Sequence, residues 1–493
     1  METAFIGRND ELELLTQTWE SSKSALMILY GRRRVGKTRL LTHWMKHHSA
    51  DGLYWMADAT TNFAQLRSFA RALSDFEDPE MEAPADLTFP NWEYALRQVA
   101  KIAKQRRIAL FIDEVTYLME VDNSIVGIIQ KAWDQWLSKS DIMLALCGSK
   151  MGLMQRHMLA YDAPLYGRAT AQIQLDPLRY GATSEFFPTY TATERVLLYN
   201  MLGGVPAYWE RVDPNHSVME NMRLFLLPVN NWMMDEAKLL LQDFVSDPYT
   251  YSSIMEAIAS GAHTYSGIEK RTGVSRGNSS QYLSLLRDAG FVERQTPVSD
   301  TNPQTSRRGR YYVSDPYRRF YYRYLTTYQS KIALGKLEEI SNLIETDLPS
   351  FIQEYTWPEL CREWLASASA VKDLPFALDQ VGGEWKRTTT FDVAGINEKE
   401  KIVAVAVCLW NQEPADETML REMVTRTKLV LSDPAQDWQV YYLGFSSSGW
   451  TPSAQVEAKK LFHPGFGRSG WKVLGHRLLD LVEVDRDLVR WTV

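Results

Sequence analysis

The stretch "LYGRRRVGKTRLL" holds Gly31, four further residues, and then Gly36-Lys37-Thr38. That spacing predicts a phosphate-binding loop. Gly31 and Gly36 let backbone N–H groups turn inward around phosphate oxygens, and a helix opening at Lys37 adds positive potential at the same point. The pattern assigns Lys37 to the β- and γ-phosphates of a nucleotide and the Thr38 hydroxyl to Mg²⁺. Its context fits, because the apolar run Ala25–Tyr30 reads as a strand before the loop and an amphipathic helix follows it. Arg32, Arg33 and Arg34 give the loop an unusually basic filling, either solvated or adding charge near the γ-phosphate. Arg34 and Arg39 join Gly31, Gly36, Lys37 and Thr38 as candidate nucleotide contacts.

A second group follows in "RRIALFIDE". Ile108–Ile112 reads as a buried strand with Asp113 at its carboxyl end, where α/β sheets place ligands. Asp113 is the candidate to hold Mg²⁺ through water, and Glu114 the candidate general base for the attacking water. A third strand, "DIMLALCGS", ends in Ser149 and Lys150, where a sensor of the γ-phosphate would lie. A fourth, "TAQIQLDPL", follows "PLYGR", whose Arg168 has two readings: a reach to the phosphates of a neighbouring subunit, or a surface ion pair.

Strands alternating with helical stretches call for an α/β fold, a parallel sheet with helices on both faces. The chain is longer than one core needs: 493 residues suggest about three domains. A net charge of −7 excludes a globally basic nucleic-acid protein while leaving room for a local basic patch. The start of the chain, "METAFIGRNDELELL", has no apolar leader, and the longest apolar run, Ile402–Trp410, is far short of the roughly 20 residues that span a bilayer. The three cysteines, Cys147, Cys361 and Cys408, are odd in number and far apart. They allow neither a disulfide framework nor a zinc pattern, so a reducing, cytoplasmic setting without membrane contact is expected.

Residues 248–325 read as a winged helix-turn-helix. A helix at Ser266–Thr272 is followed by Gly273-Val274, with Ser275 as N-cap of a second helix that ends at Gly290. The wing strand "FVERQ" then returns through "SRRGRYYVSDPYRRFYYRYL". Arg307, Arg308, Arg310, Arg318, Arg319 and Arg323 there face a single acid, Asp315. Arg276, Asn278, Ser279 and Gln281 of the second helix, with Arg307, Arg308 and Arg310 of the wing, are the candidate contacts to double-stranded DNA. The competing reading makes the winged helix a packing or oligomerisation module and the aromatics of 317–324 a hydrophobic seam.

Together "FIGRNDELELL", "LYGRRRVGKTRLL", "LFIDE", "LALCGS", "PLYGR" and "LGGVPAYW" resemble the STAND class of AAA+-like ATPases of archaea and bacteria. The resemblance implies a P-loop core over 1–190, a helical lid over 191–247, the winged helix, a linker helix over 326–350 and a PD-(D/E)xK nuclease-like domain over 351–493. It implies ATP and Mg²⁺ as cofactors, a nucleotide-driven switch, and self-association into homo-oligomers. By the same resemblance Gly7-Arg8 begins the region over the adenine, and Gly204-Val205-Pro206 closes over the nucleotide, making Gly7, Arg8 and Pro206 contacts. In the nuclease-like domain Glu359 or Glu363 would be the helix acid and Asp392 the strand acid. Val407 and Leu409 stand where the family carries a glutamate and a lysine. Glu384-Trp385-Lys386 precedes Asp392, in the wrong order, and Glu398 and Glu400 fall at a hairpin tip. An ATPase without nuclease activity is therefore expected.

Overall fold

Residues 25–30, 108–113 and 142–148 are nearly unbroken apolar runs, which only strands covered on both faces can bury. In the computed structural model they are β1 (Ala25–Tyr30), β3 (Ile108–Asp113) and β4 (Ile142–Gly148). With β2 (Gly52–Met56) and β5 (Ala171–Gln174) they make a five-stranded parallel sheet in the order β2-β3-β4-β1-β5. The structure describes residues 5–492 except Ser22, Ser49, Met81, Ala85, 229–230, 243–244, Ser246, 387–388, 431–437 and 467–470. Alternation along the strands splits the sheet's core in two. Leu26, Ile28, Leu110, Ile112, Leu144 and Leu146 face helices Asn62–Glu77, Trp92–Ile102 and Ile125–Gln135. Met27, Leu29, Phe111, Met143 and Ala145 face Leu15, Leu40, Leu41 and Trp44 on helices Asn9–Glu20 and Lys37–His47. Truncating one such buried leucine to alanine costs about 2–5 kcal/mol.

The chain divides into two compact units. One comprises Met1–Leu178 with Val205–Ala207; the other comprises Arg179–Gly204 and Tyr208–Val493. The second unit therefore takes in the helix Ala192–Leu202, whose Thr191–Glu194 capping box satisfies its first turn. It also holds the winged helix: Pro248–Ala259, Tyr265–Thr272, Arg276–Asp288, and the antiparallel pair β6 (Val292–Gln295) and β7 (Arg310–Val313). Ser275 occupies the N-cap position of the third helix, but its hydroxyl makes no capping bond. The preceding stop comes from Gly273, at φ 71°, a left-handed turn that favours glycine.

The aromatic stretch after the wing is helical through Pro316–Leu325, and Tyr317, Phe320, Tyr321, Tyr322 and Tyr324 are all buried. Arg318 and Arg319 are buried with them. Arg319 donates to Glu359 at 2.8 Å and stacks over Tyr355, while Arg323 pairs with Asp347 at 2.8 Å. The sequence invites reading all six arginines as one basic surface. The helix is enclosed on all sides and takes these three in with it, so for 317–324 the seam is what forms.

A second sheet has six strands. Its strands are β8 (Gln380–Lys386), β9 (Thr389–Asn397), β10 (Ile402–Leu409), β11 (Gln439–Ser446), β12 (Gly465–Phe466) and β13 (Lys472–Asp480). In the order β12-β13-β11-β10-β9-β8, the pairs β12–β13, β9–β10 and β8–β9 are antiparallel, and β10–β11 and β11–β13 are parallel. Ala404, Ala406 and Cys408 of β10 face Trp357, Cys361 and Trp364 of helix Trp357–Ala370, while Val403, Val405 and Val407 face Leu420 and Met423. The last helix, Leu481–Thr492, closes on the segment that begins this unit. Tyr180 donates to Asp485 at 2.7 Å, Arg195 pairs with the same carboxylate, and any side chain at Gly181 would collide with Leu488 and Thr492. Among the described residues no helix is long and apolar enough to cross a membrane.

Candidate functional site

The strand order decides which loops meet. β4 lies between β1 and β3, so the carboxyl ends of these three neighbours bring together residues 31–38, 113–114 and 149. Gly31 passes so close to the Leu175 carbonyl that a Cβ would clash, and Gly36 sits at φ 97°. Both positions therefore require glycine for the backbone path, independently of any ligand. Lys37 is buried, and its ammonium donates to the Gly31 carbonyl at 2.9 Å and the Arg32 carbonyl at 3.0 Å. Arg34, at φ 70°, is exposed, as is Thr38, and Arg39 is half-buried.

Asp113 is the centre of a dense set of donors. One carboxylate oxygen accepts from the Thr38 hydroxyl at 2.6 Å and the Tyr54 hydroxyl at 2.7 Å; the other accepts from the Glu114 N–H at 2.9 Å. Burial pushes its carboxyl up, but hydrogen bonds from the Cys147 thiol, Thr38, Tyr54 and the Glu114 N–H outweigh that and hold it below the usual range. An alcohol and an ionised carboxylate in contact are oxygen donors of the kind a hard cation such as Mg²⁺ takes. Glu114 has φ 51°, an unusual conformation for a residue with a side chain, and occupies the N-cap position of the next helix without a capping bond from its side chain. Its carboxylate accepts from the Ser149 hydroxyl at 2.8 Å and the Ser149 N–H at 3.3 Å.

Three predicted residues are occupied differently. Arg8, at φ 69°, donates to the carbonyls of Asp176 at 2.5 Å and Val35 at 3.2 Å and pairs with Glu11, so its guanidinium braces the phosphate-type loop from behind. Gly7 shares that left-handed turn. Arg168 is in a bidentate pair with Asp134, at 2.8 and 2.9 Å, which is the surface-pair reading. Lys150 is bound to Glu120. Pro206 opens the short helix Pro206–Trp209 and groups with the first unit.

Sequence reasoning missed Tyr54 and Cys147. Both reach Asp113 only because β2 and β4 flank β3, and the five-residue β2 carries no motif. On the winged helix, Asn278 and Gln281 are exposed, whereas Ser279 is buried and donates to the Val274 carbonyl at 3.2 Å, which removes it from the contacts. Arg276 begins the third helix, and its side chain lies outside the described residues. Arg307 is exposed; Arg308 is paired with Asp300.

Residues 5–212 match a family described as an ATPase domain predominantly from Archaea. The chain carries a P-loop ATPase domain. Residues 250–294 match a bacterial regulatory family, the ArsR family, and 321–422 match archaeal and bacterial proteins of unknown function. An uncharacterized protein of Methanocaldococcus jannaschii is 28% identical over 443 residues, 89% of this chain and 94% of that one. A protein of the same organism described as ATP-binding is 49% identical over 43 residues, 9% of this chain and 73% of that one. Among solved structures, a Walker-type ATPase of Pyrococcus abyssi aligns with a TM-score of 0.48 at 18% identity, covering 65% of this chain and 96% of that one.

In the second sheet, Asp392 is exposed, and Arg362 donates to its backbone carbonyl at 3.0 Å. The β9–β10 register runs to Val393 opposite Ala406, so Asp392 lies beside Val407, whose side chain faces the helix Glu417–Val430. Glu359 is spent on Arg319, and Glu384 is buried, accepting from the Ser299 N–H at 3.0 Å and hydroxyl at 2.9 Å.

Proposed function

We propose that the protein is an ATP-hydrolysing molecular switch whose output is self-association or DNA binding. The observation that carries this reading is the convergence at Asp113: Thr38 on the carboxylate, with Glu114 held by Ser149 beside it. In it, Lys37 leaves the loop carbonyls it now satisfies for the β- and γ-phosphates, and Gly31, Arg34, Gly36 and Arg39 line the nucleotide. Thr38 and Asp113 hold Mg²⁺, which when bound neutralises charge on the phosphate oxygens. Glu114 accepts the proton of the attacking water. Ser149 is shared: its hydroxyl serves either Glu114 or a phosphate oxygen, so nucleotide occupancy sets whether the base is restrained. Gly7, Arg8 and Pro206 border the nucleotide, with Arg8 acting through the loop it braces.

Arg168 is assigned to a neighbouring subunit's phosphates, in a homo-oligomer that forms with ATP. Giving up an exposed pair with Asp134 costs only about 1 kcal/mol or less. Arg276, Asn278, Gln281 and Arg307 form the DNA-facing side of the winged helix. Lys37→Ala is expected to lower ATP turnover by about 100-fold or more. Equal turnover in variant and wild type would end the proposal. Mass measurement with and without ATP tests the switch.

A second reading is a DNA-binding regulator that holds nucleotide with little turnover. Glu114, whose carboxylate accepts from both the hydroxyl and the N–H of Ser149, is a restrained base, which favours it. It predicts nucleotide retained through purification and turnover near background in wild type.

A further inference from the structure

The wing does not stand alone. Its tip is joined to β8, the edge strand of the C-terminal sheet: the Val298 N–H donates to the Gly383 carbonyl at 2.9 Å, and Ser299 donates twice to Glu384. Arg308 and Trp385 exchange hydrogen bonds, the Trp385 indole to the Arg308 carbonyl at 2.9 Å and the Arg308 guanidinium to the Trp385 carbonyl at 3.1 Å. The rest of the Arg308 guanidinium is taken by Asp300, with Glu384 at 3.8 Å. Arg308 therefore positions the turn and has no charge left over for a ligand.

Beside this junction is a cleft of about 430 Å³ between Thr264–Ser266 and the turn Arg307–Arg310, lined by Trp385 of β8. The Arg310 guanidinium carbon lies over the Trp385 ring, 4.6 Å from its centre. No ion pair engages Arg307 or Arg310 among the described residues, and Glu269 is the one carboxylate among the residues lining the cleft. A guanidinium held over an indole, with Tyr312 as a hydrogen-bond partner, is restricted in position while its forked donors suit two oxygens of a phosphodiester.

We propose that this cleft binds a backbone phosphate of duplex DNA. Arg307 and Arg310 are the donors, and Trp385 of the C-terminal sheet is the plate that orients Arg310. The DNA-binding surface is then composite, completed by a domain outside the winged helix. This inference rests on the reading of the winged helix as a DNA-binding module.

The test is duplex binding by the full chain, followed by fluorescence anisotropy of a labelled mixed-sequence duplex over a salt series. Arg307→Ala and Arg310→Ala are each expected to weaken binding about tenfold at low salt and to reduce the slope of log K against log salt by about 1. Trp385→Ala is expected to match Arg310→Ala, while Trp385→Phe, which keeps an aromatic plate, stays within about twofold of wild type. Because Trp385 is buried, thermal melting accompanies its variants, and Arg310→Ala carries the decision if Trp385→Ala melts early. Wild type that binds no duplex at low salt overturns the DNA reading and the cleft together. Wild type that binds, is weakened by Gln281→Ala and is unchanged by Arg307→Ala and Arg310→Ala overturns the cleft alone.

Discussion

Three carboxyl groups stand at sites where a nucleotide or metal chemistry is expected, and their surroundings have little in common. Asp113 in the first sheet accepts from two hydroxyls and a backbone N–H, and its carboxyl is held below the usual range. Asp392 in the second sheet is exposed, next to a valine that faces the core. Glu363, on the helix behind that sheet, accepts no hydrogen bond among the described residues; burial pushes its carboxyl up to about 7, against the pull of Arg179 and with Glu359 adding to the rise. An acid at a strand end becomes a cation site only when neighbouring strands supply donors that keep it ionised. The first sheet has those neighbours, and the second has filled their places with apolar side chains.

The contrast can be broken at several points. The largest effect is expected from Glu114→Gln, which should slow ATP turnover by about 100-fold while leaving nucleotide affinity near wild type, as equilibrium binding of a labelled ATP would show. An equal loss of affinity would mean that Glu114 supports the loop and not the chemistry. Tyr54→Phe removes one donor from Asp113 and leaves the others, so turnover should fall by less than about tenfold, with a higher Mg²⁺ requirement. Thermal melting addresses Glu363. Its proton stays on in the folded chain up to about pH 7 but leaves the unfolded chain near 4.5, so its contribution to stability falls as pH rises across that window and is level above it. Glu363→Gln should raise Tm by about 3 °C at pH 8 and leave it unchanged at pH 4.5. The smallest effect is expected of Asp392→Ala: ATP turnover, melting and any Mg²⁺-dependent DNA cleavage should all equal wild type. Cleavage that this substitution abolishes would show that the second sheet does hold a metal.

Much of this contrast is legible along the chain because the informative residues sit beside their elements. β1, β3 and β4 announce themselves as apolar runs that end in Gly31, Asp113 and Ser149, and Val407 and Leu409 are visible as departures within β10. What is illegible depends on neighbours far apart in sequence. Tyr54 ends up on Asp113 through the lateral pairing of β2 with β3, and no spacing rule connects residues 59 positions apart. Arg319 shows the same limit from the other side: in sequence it belongs to a basic cluster, and only the burial of its helix and Glu359, 40 positions on in the numbering, reveal it as an inward-facing partner. Arg308 likewise looks interchangeable with Arg307 until β8 claims it.

The clasp between Tyr180, Arg195 and Asp485 has a consequence for how the chain is made. The first sheet is complete in sequence by Gln174, and its parts can associate as soon as they are synthesised. The segment that begins at Arg179 cannot finish, because the carboxylate that Tyr180 needs is 305 residues downstream. At a synthesis rate of roughly 5–20 residues per second, that interval is roughly 15–60 s. During it the carboxylate that Tyr180 and Arg195 share is still to be made, and helix Leu481–Thr492 acts as the latch that completes the segment.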